Sequence, residues 1–225
     1  FGYISNDINK IDVNAFKLLG VLNETRGEQS CGIALNSDIF HGATFKDKKF
    51  RDFVKGLDLK PTEKPVLFGH TRKASSGIVN EENAHPFAFG TNNSDDGFAF
   101  IGAHNGTLYN HTELAETFGV ELKERVSTNL TREKIDSEVL LESIYISKSF
   151  RPLNFYKGGA ALVWYTPDTN EIYLFSGESK AYQYSHLTEV ERPLHVWIID
   201  NNTFAFSSEG EPLEAIGAKE KEVFQ

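Results

Sequence analysis

The chain has 225 residues, with 32 acidic against 23 basic side chains for a formal net charge of −9, 40% hydrophobic residues, one cysteine and no methionine. The acidic balance argues against general polyanion binding, which needs clustered Lys and Arg. A lone Cys31 excludes an internal disulfide and any multi-cysteine zinc or iron–sulfur site. The apolar runs, such as 158–165, fall far below the roughly 20 residues of a membrane helix. No basic-then-apolar segment opens the sequence, so cytoplasmic residence is expected, with neither nucleic acid nor membrane as a partner. A length of this order buries roughly 70–75% of the unfolded surface in one core system, and residues 1–225 are read as one domain.

Residues 1–5 are short and apolar and predict a strand. A helix follows from Asp12, with Val13, Phe16, Leu19 and Leu22 on one face. Strands are expected over 31–35 and 38–44, a short helix over 50–57, and a strand over 65–70 that enters a Gly/Ser-rich loop. Two apolar runs within 87–103 flank the turn-forming residues 91–97, predicting a hairpin whose second strand ends in His104-Asn105-Gly106. Leu114 with Phe118, and Ile135 with Val139 and Leu140 with Ile144, carry the spacing of two helices. Residues 159–165 with 171–176, and 195–200 with 203–207, then read as two further hairpins through Pro167-Asp168 and Asn201-Asn202. Strands grouped in hairpins, with helices between the groups, predict an antiparallel α+β layer structure rather than a βαβ fold.

Five short segments place polar groups beside glycine or at the end of an apolar run. They are Arg26-Gly27-Glu28-Gln29-Ser30, Gly69-His70-Thr71-Arg72, Asn83-Ala84-His85-Pro86, His104-Asn105-Gly106 and Asp136-Ser137-Glu138. Each has an ordinary reading by itself: a surface charge for Arg26, a helix N-cap for Asp136, a satisfied half-buried histidine for His85, a turn for Asn105-Gly106.

Taken together and in order, the five segments resemble the glutaminase domain of class II glutamine amidotransferases, members of the N-terminal nucleophile hydrolase superfamily. The resemblance begins at Gly2-Tyr3-Ile4 and extends to Phe206-Ser207-Ser208-Glu209. It implies a four-layer αββα sandwich and hydrolysis of the glutamine side-chain amide through a cysteinyl thioester. Such chemistry needs a nucleophile, a proton acceptor and donors for the tetrahedral oxyanion. The resemblance assigns the oxyanion donors to Asn105 and Gly106. It pairs Arg72 with the substrate α-carboxylate and Asp136 with its α-ammonium, groups His85 with the substrate-binding residues, and gives Arg26 a supporting role. A planar guanidinium grips a carboxylate through two parallel hydrogen bonds, which Lys cannot copy. Two positions depart from the family pattern: Lys73 stands where Trp is common after the loop arginine, and Gln29 where Asp is common. No metal or organic cofactor is implied for the hydrolytic step. The implied partners are glutamine or a γ-glutamyl amide and a separate synthase that receives the ammonia, since the chain ends where the glutaminase fold is expected to end.

The family opens Cys-Gly-aliphatic-(Val/Phe)-Gly, whereas this chain opens Phe1-Gly2-Tyr3-Ile4. In one alignment Phe1-Gly2 matches the fourth and fifth residues of that opening, and the cysteine lies just upstream. In the other Phe1 replaces the cysteine, leaving a non-catalytic glutamine-binding relative. The first is preferred, because Phe-Gly-Tyr-Ile continues the family's first strand. Cys31-Gly32-Ile33 spells the same opening, but a chain starting there would lose Arg26 and the first strand and helix, so Cys31 is read as a small buried hydrophobe. A γ-glutamyl amide or peptide hydrolase of the same superfamily is the remaining enzymatic alternative.

Overall fold

The computed structural model describes residues 1–36, 38–43, 49–61, 66–73, 79, 83–91, 97–122, 135–178, 180–183, 186–189 and 192–220. In chain order these form β1 (Gly2–Ser5), α1 (Val13–Leu22), β2 (Ser30–Leu35), β3 (Asp38–Ala43), α2 (Phe50–Lys55), β4 (Val66–Arg72), β5 (Phe87–Phe89) and β6 (Phe100–Leu108). There follow α3 (His111–Phe118), α4 (Asp136–Ser147), β7 (Gly158–Thr166), β8 (Glu171–Glu178), β9 (Lys180–Gln183), β10 (His186–Glu189), β11 (His195–Asp200), β12 (Thr203–Ser207) and α5 (Glu211–Ala215). The expected hairpin tip falls largely on 92–96, outside the described residues, as do Thr44 and Pro65 at the ends of two expected strands.

Local chemistry explains where the elements start and stop. Asp12 caps α1 by accepting from the N–H groups of Asn14 and Ala15, both at 2.9 Å, a contact worth about 1 kcal/mol. Helix α3 stops at Gly119, whose φ of 73° suits a residue without Cβ. Asp136 is the first residue of α4 rather than its N-cap, and its carboxylate reaches sideways to the Leu108 N–H.

Strand order is β11-β12-β1-β4-β2-β3 in a six-stranded sheet and β5-β6-β7-β8 in a four-stranded one, with β9 and β10 forming a separate ribbon. Every pairing is antiparallel. Three apolar clusters separate four layers. Phe16, Leu19, Phe50, Ile33, Leu67 and Leu213 join α1, α2 and α5 to the outer face of the larger sheet. Val66, Phe68, Ile101, Ala103, Val163 and Phe206 fill the space between the sheets. Leu114, Val139, Leu140, Leu162 and Trp164 join α3 and α4 to the smaller sheet. The fold is therefore an α+β four-layer αββα sandwich. Among the described residues no helix is long and apolar enough to cross a membrane.

One expected boundary is corrected. Strand β6 does not end in His104-Asn105-Gly106 but runs through it to Leu108, because residues 105–108 stay paired with 158–161 of β7. The motif is strand, not turn, so its side chains alternate between the sheet's two faces.

Candidate active site

Strands β4 and β6 lie in different sheets, and their C-terminal ends meet the first turn of α4 around a cavity of about 130 Å³. Arg72 ends β4 and is 5% exposed; Asp136 starts α4 and is 7% exposed; both line this cavity. Burial pulls the Arg72 guanidinium below its ordinary pKa, and the nearby Asp136 charge acts against that fall. Asp136 Oδ2 accepts from Leu108 N–H at 2.9 Å, which holds the carboxylate against β6. The backbone of Arg72 is held from the other side: its carbonyl accepts from Gln29 N–H at 3.1 Å. Gly27 packs on the same peptide, where any Cβ would overlap the Arg72 carbonyl carbon and the Lys73 nitrogen.

Asn105 and Gly106 line the cavity from β6, opposite Ala161 and Ala160 of β7. Asn105 shares the inter-sheet face with Ile101 and Ala103, while His104 faces the helical layer. Gly106 has no room for a side chain, since a Cβ would overlap the Gly159 carbonyl oxygen and stand 2.5 Å from His104 Nε2. His104 is 2% exposed; its Nδ1 lies 2.8 Å from Ser137 Oγ, and its N–H donates to His85 Nδ1 at 3.2 Å. His85 is equally buried and stacks on His70, with ring centroids 4.4 Å apart. One nitrogen of His85 is thus committed to the protein, although the residue borders the cavity.

These histidines predict an acid-sensitive fold. Burial, the largest cause, lowers His70 below the ordinary histidine pKa, and burial lowers His104 as well. Each therefore takes up a proton less readily in the folded state than an unfolded histidine, whose pKa is about 6.5. The unfolded chain therefore binds more protons, and stability falls as pH drops below about 6.5, by up to about 1.4 kcal/mol per pH unit for each histidine. Urea unfolding between pH 7.5 and 5 is expected to show this slope, and His70→Gln to reduce it. An equal slope in the variant would remove His70 from the account.

No family model matches the chain. Over 151 residues it is 34% identical to the glutamine–fructose-6-phosphate aminotransferase (isomerizing) of Aquifex aeolicus, a match covering 67% of this chain and 22% of the relative. The enzyme of the same name from Haemophilus influenzae is 36% identical over 114 residues, 49% of this chain and 16% of the relative. Among solved structures, the allosteric regulatory enzyme of purine biosynthesis superposes with a TM-score of 0.62 at 20% identity, over 96% of this chain and 43% of that one. The glutamine phosphoribosylpyrophosphate amidotransferase of B. subtilis gives 0.55 at 19% identity, over 97% and 44%. These relatives and structural neighbours are class II, N-terminal-nucleophile glutamine amidotransferases. The chain spans about a fifth of the length of the Aquifex relative.

In this chain, Arg72, Asp136, Asn105, Gly106 and His85 surround one cavity, and Arg26 stands at its rim. Arg26 pairs with Glu209 of the Ser-Glu turn after β12, both side chains being about two-fifths exposed. Cys31 is 1% exposed on the α1 side of β2, and burial, then the charge of Glu24, pushes its thiol up to about 12. It is a core residue and a poor nucleophile. Lys73 is exposed at the cavity rim. Sequence reasoning missed Asn23, which is 3% exposed. Its Nδ2 donates to Leu19 O, its Oδ1 accepts from Ser207 Oγ, and its backbone carbonyl accepts from Thr71 Oγ1, so one residue ties α1 to β4 and β12. Its only visible signal was an Asn at the end of a predicted helix. His70 and Ser137 lay inside recognised motifs without a role of their own.

Proposed function

We propose that residues 1–225 are one glutaminase-type domain that hydrolyses the glutamine side-chain amide to glutamate and ammonia. The observation that carries this reading is the convergence of a buried cation, a buried carboxylate and an Asn-Gly pair on one small cavity. Arg72 receives the α-carboxylate of glutamine and Asp136 its α-ammonium, so both charged ends of an amino acid find a partner out of water. That orientation directs the side-chain amide toward β6, where the Asn105 side chain and the Gly106 N–H stabilise the tetrahedral oxyanion.

The nucleophile in this reading is a cysteine three residues upstream of Phe1. Its α-amine takes the thiol proton, the thiolate attacks the amide carbon, the leaving nitrogen takes that proton back from the α-ammonium and departs as ammonia, and water then cleaves the thioester to glutamate and the free thiol. The β1–β4 ladder supports this position. Gly2 stands opposite Phe68, and Phe1 and Gly69 exchange backbone hydrogen bonds of 2.8 and 3.1 Å. Continued in the same register, the third upstream residue would face Arg72 across the ladder. It would lie on the side that Gly2 shares with Ile4, toward the inter-sheet space and Asn105. The ammonia passes to an acceptor on a synthase partner.

Intact mass of the natural protein is expected to show upstream residues that include a cysteine, and that protein is expected to release glutamate from glutamine. A natural mature terminus at Phe1 would sink the nucleophile assignment.

A further inference from the structure

Strand β6 and the first turn of α4 are joined by two side-chain hydrogen bonds that bracket the Asn-Gly pair. At one end His104 Nδ1 lies 2.8 Å from Ser137 Oγ; at the other Leu108 N–H donates to Asp136 Oδ2 at 2.9 Å. His104 and Leu108 flank residues 105–106, while Asp136 and Ser137 are consecutive. Ser137, at 5% exposure, and His104, at 2%, are both buried, so their bond is not exchanged for water. The His104 ring also lies against Gly106, with Nε2 2.5 Å from where a Cβ would stand, so the ring borders the peptide proposed to carry the oxyanion donor. The bracket sets the span between the place where an amino-acid ammonium is held and the place where an amide oxygen becomes negative.

We propose that His104 and Ser137 are positioning residues that fix this span, and that the span selects the five-carbon glutamine over the four-carbon asparagine. The inference rests on the glutaminase reading of the same cavity. Neither residue touches the reacting atoms; both act through Asn105, Gly106 and Asp136. Strand β6 keeps its ladders to β5 and β7 without the Ser137 contact. Removing the hydroxyl therefore loosens one inter-element distance and leaves the sheet in register. A displacement approaching 1 Å between reacting groups lowers rate by up to about 100-fold, and a difference of one methylene is otherwise worth only about 10–200-fold in selectivity.

The test uses the protein with its natural N-terminus and compares glutamate release from glutamine with aspartate release from asparagine. Ser137→Ala is expected to lower kcat for glutamine by about 10- to 100-fold, with a much smaller change in KM and a lowered thermal midpoint, because the buried His104 Nδ1 loses its partner. The glutamine-to-asparagine ratio of kcat/KM is expected to fall by about 10-fold. Ser137→Thr, which keeps the hydroxyl, is expected to restore both. Unchanged kcat in Ser137→Ala, or a loss that leaves the glutamine-to-asparagine ratio where it was, overturns the positioning role alone. A parent protein that carries its cysteine and releases no glutamate overturns the glutaminase reading, and this role with it.

Discussion

Arg72→Ala is expected to lower kcat/KM for glutamine by about 10²–10⁴-fold, most of it in KM. Arg72 and Asp136 are buried on one cavity. Breaking a buried ion pair by removing one partner costs about 3–5 kcal/mol, and each 1.4 kcal/mol is about tenfold in binding. In the proposed glutamine complex the relevant pairs are Arg72 with the α-carboxylate and Asp136 with the α-ammonium, so either deletion leaves one substrate charge unpaired in a dry site. Asp136→Asn keeps an oxygen for the Leu108 N–H and removes only the charge, so its expected loss is recognition rather than folding. Arg72→Lys is expected to recover little, because a point ammonium cannot form the two parallel bonds of a guanidinium. Steady-state kinetics on protein with its natural terminus, beside thermal melting of each variant, decides the matter. Full activity in both Arg72→Ala and Asp136→Asn would remove the substrate-clamp assignment.

The second large effect is expected on the oxyanion side. Asn105→Ala should lower kcat by about 10²–10³-fold, the usual cost of one oxyanion donor, with KM within a few-fold of the parent. The split differs from that of the clamp because, in the proposed mechanism, Asn105 acts when charge develops on the amide oxygen, not when the ground-state amide binds. Gly106→Ala should cost more and for another reason. The added methyl has no free space between the Gly159 carbonyl and the His104 ring, so β6 and β7 must move apart at the donor itself. Activity is expected to vanish together with a lowered melting temperature, whereas Asn105→Ala melts like the parent. An Asn105→Ala enzyme with an unaltered kcat would exclude its side chain from the oxyanion site.

The histidines show how far a motif can be read. His104-Asn105-Gly106 marked the site by its order among the other segments, yet its ordinary reading as a turn is wrong, because pairing with β7 continues to Leu108. That pairing connects residues fifty or more positions apart and leaves no local signature. Asp136 was legible as a carboxylate at a helix start, but its tie to Leu108 was not, since capping geometry looks the same in sequence whichever backbone N–H is reached. Strand β2 shows a different limit. Cys31, Ile33 and Leu35 face α1 while Ala34 faces the second sheet, and all six residues of the strand are buried. With both faces covered, the alternation that identifies the inward side disappears.

Sequence alone determined the hairpin-rich α+β character of this chain and named the residues proposed to bear its chemistry. Turn residues, helical spacing and short motifs act over a few positions and survive without knowledge of the fold. Only the tertiary structure decided that β1 inserts between β12 and β4, that Cys31 points into the core, and that Arg72 and Asp136 share a cavity with Asn105. It alone decided that His104 meets Ser137. The physical reason is that sheet order, register and buried charge pairing are set by contacts between distant segments. Their free energy comes from surfaces that exist only once the layers have packed.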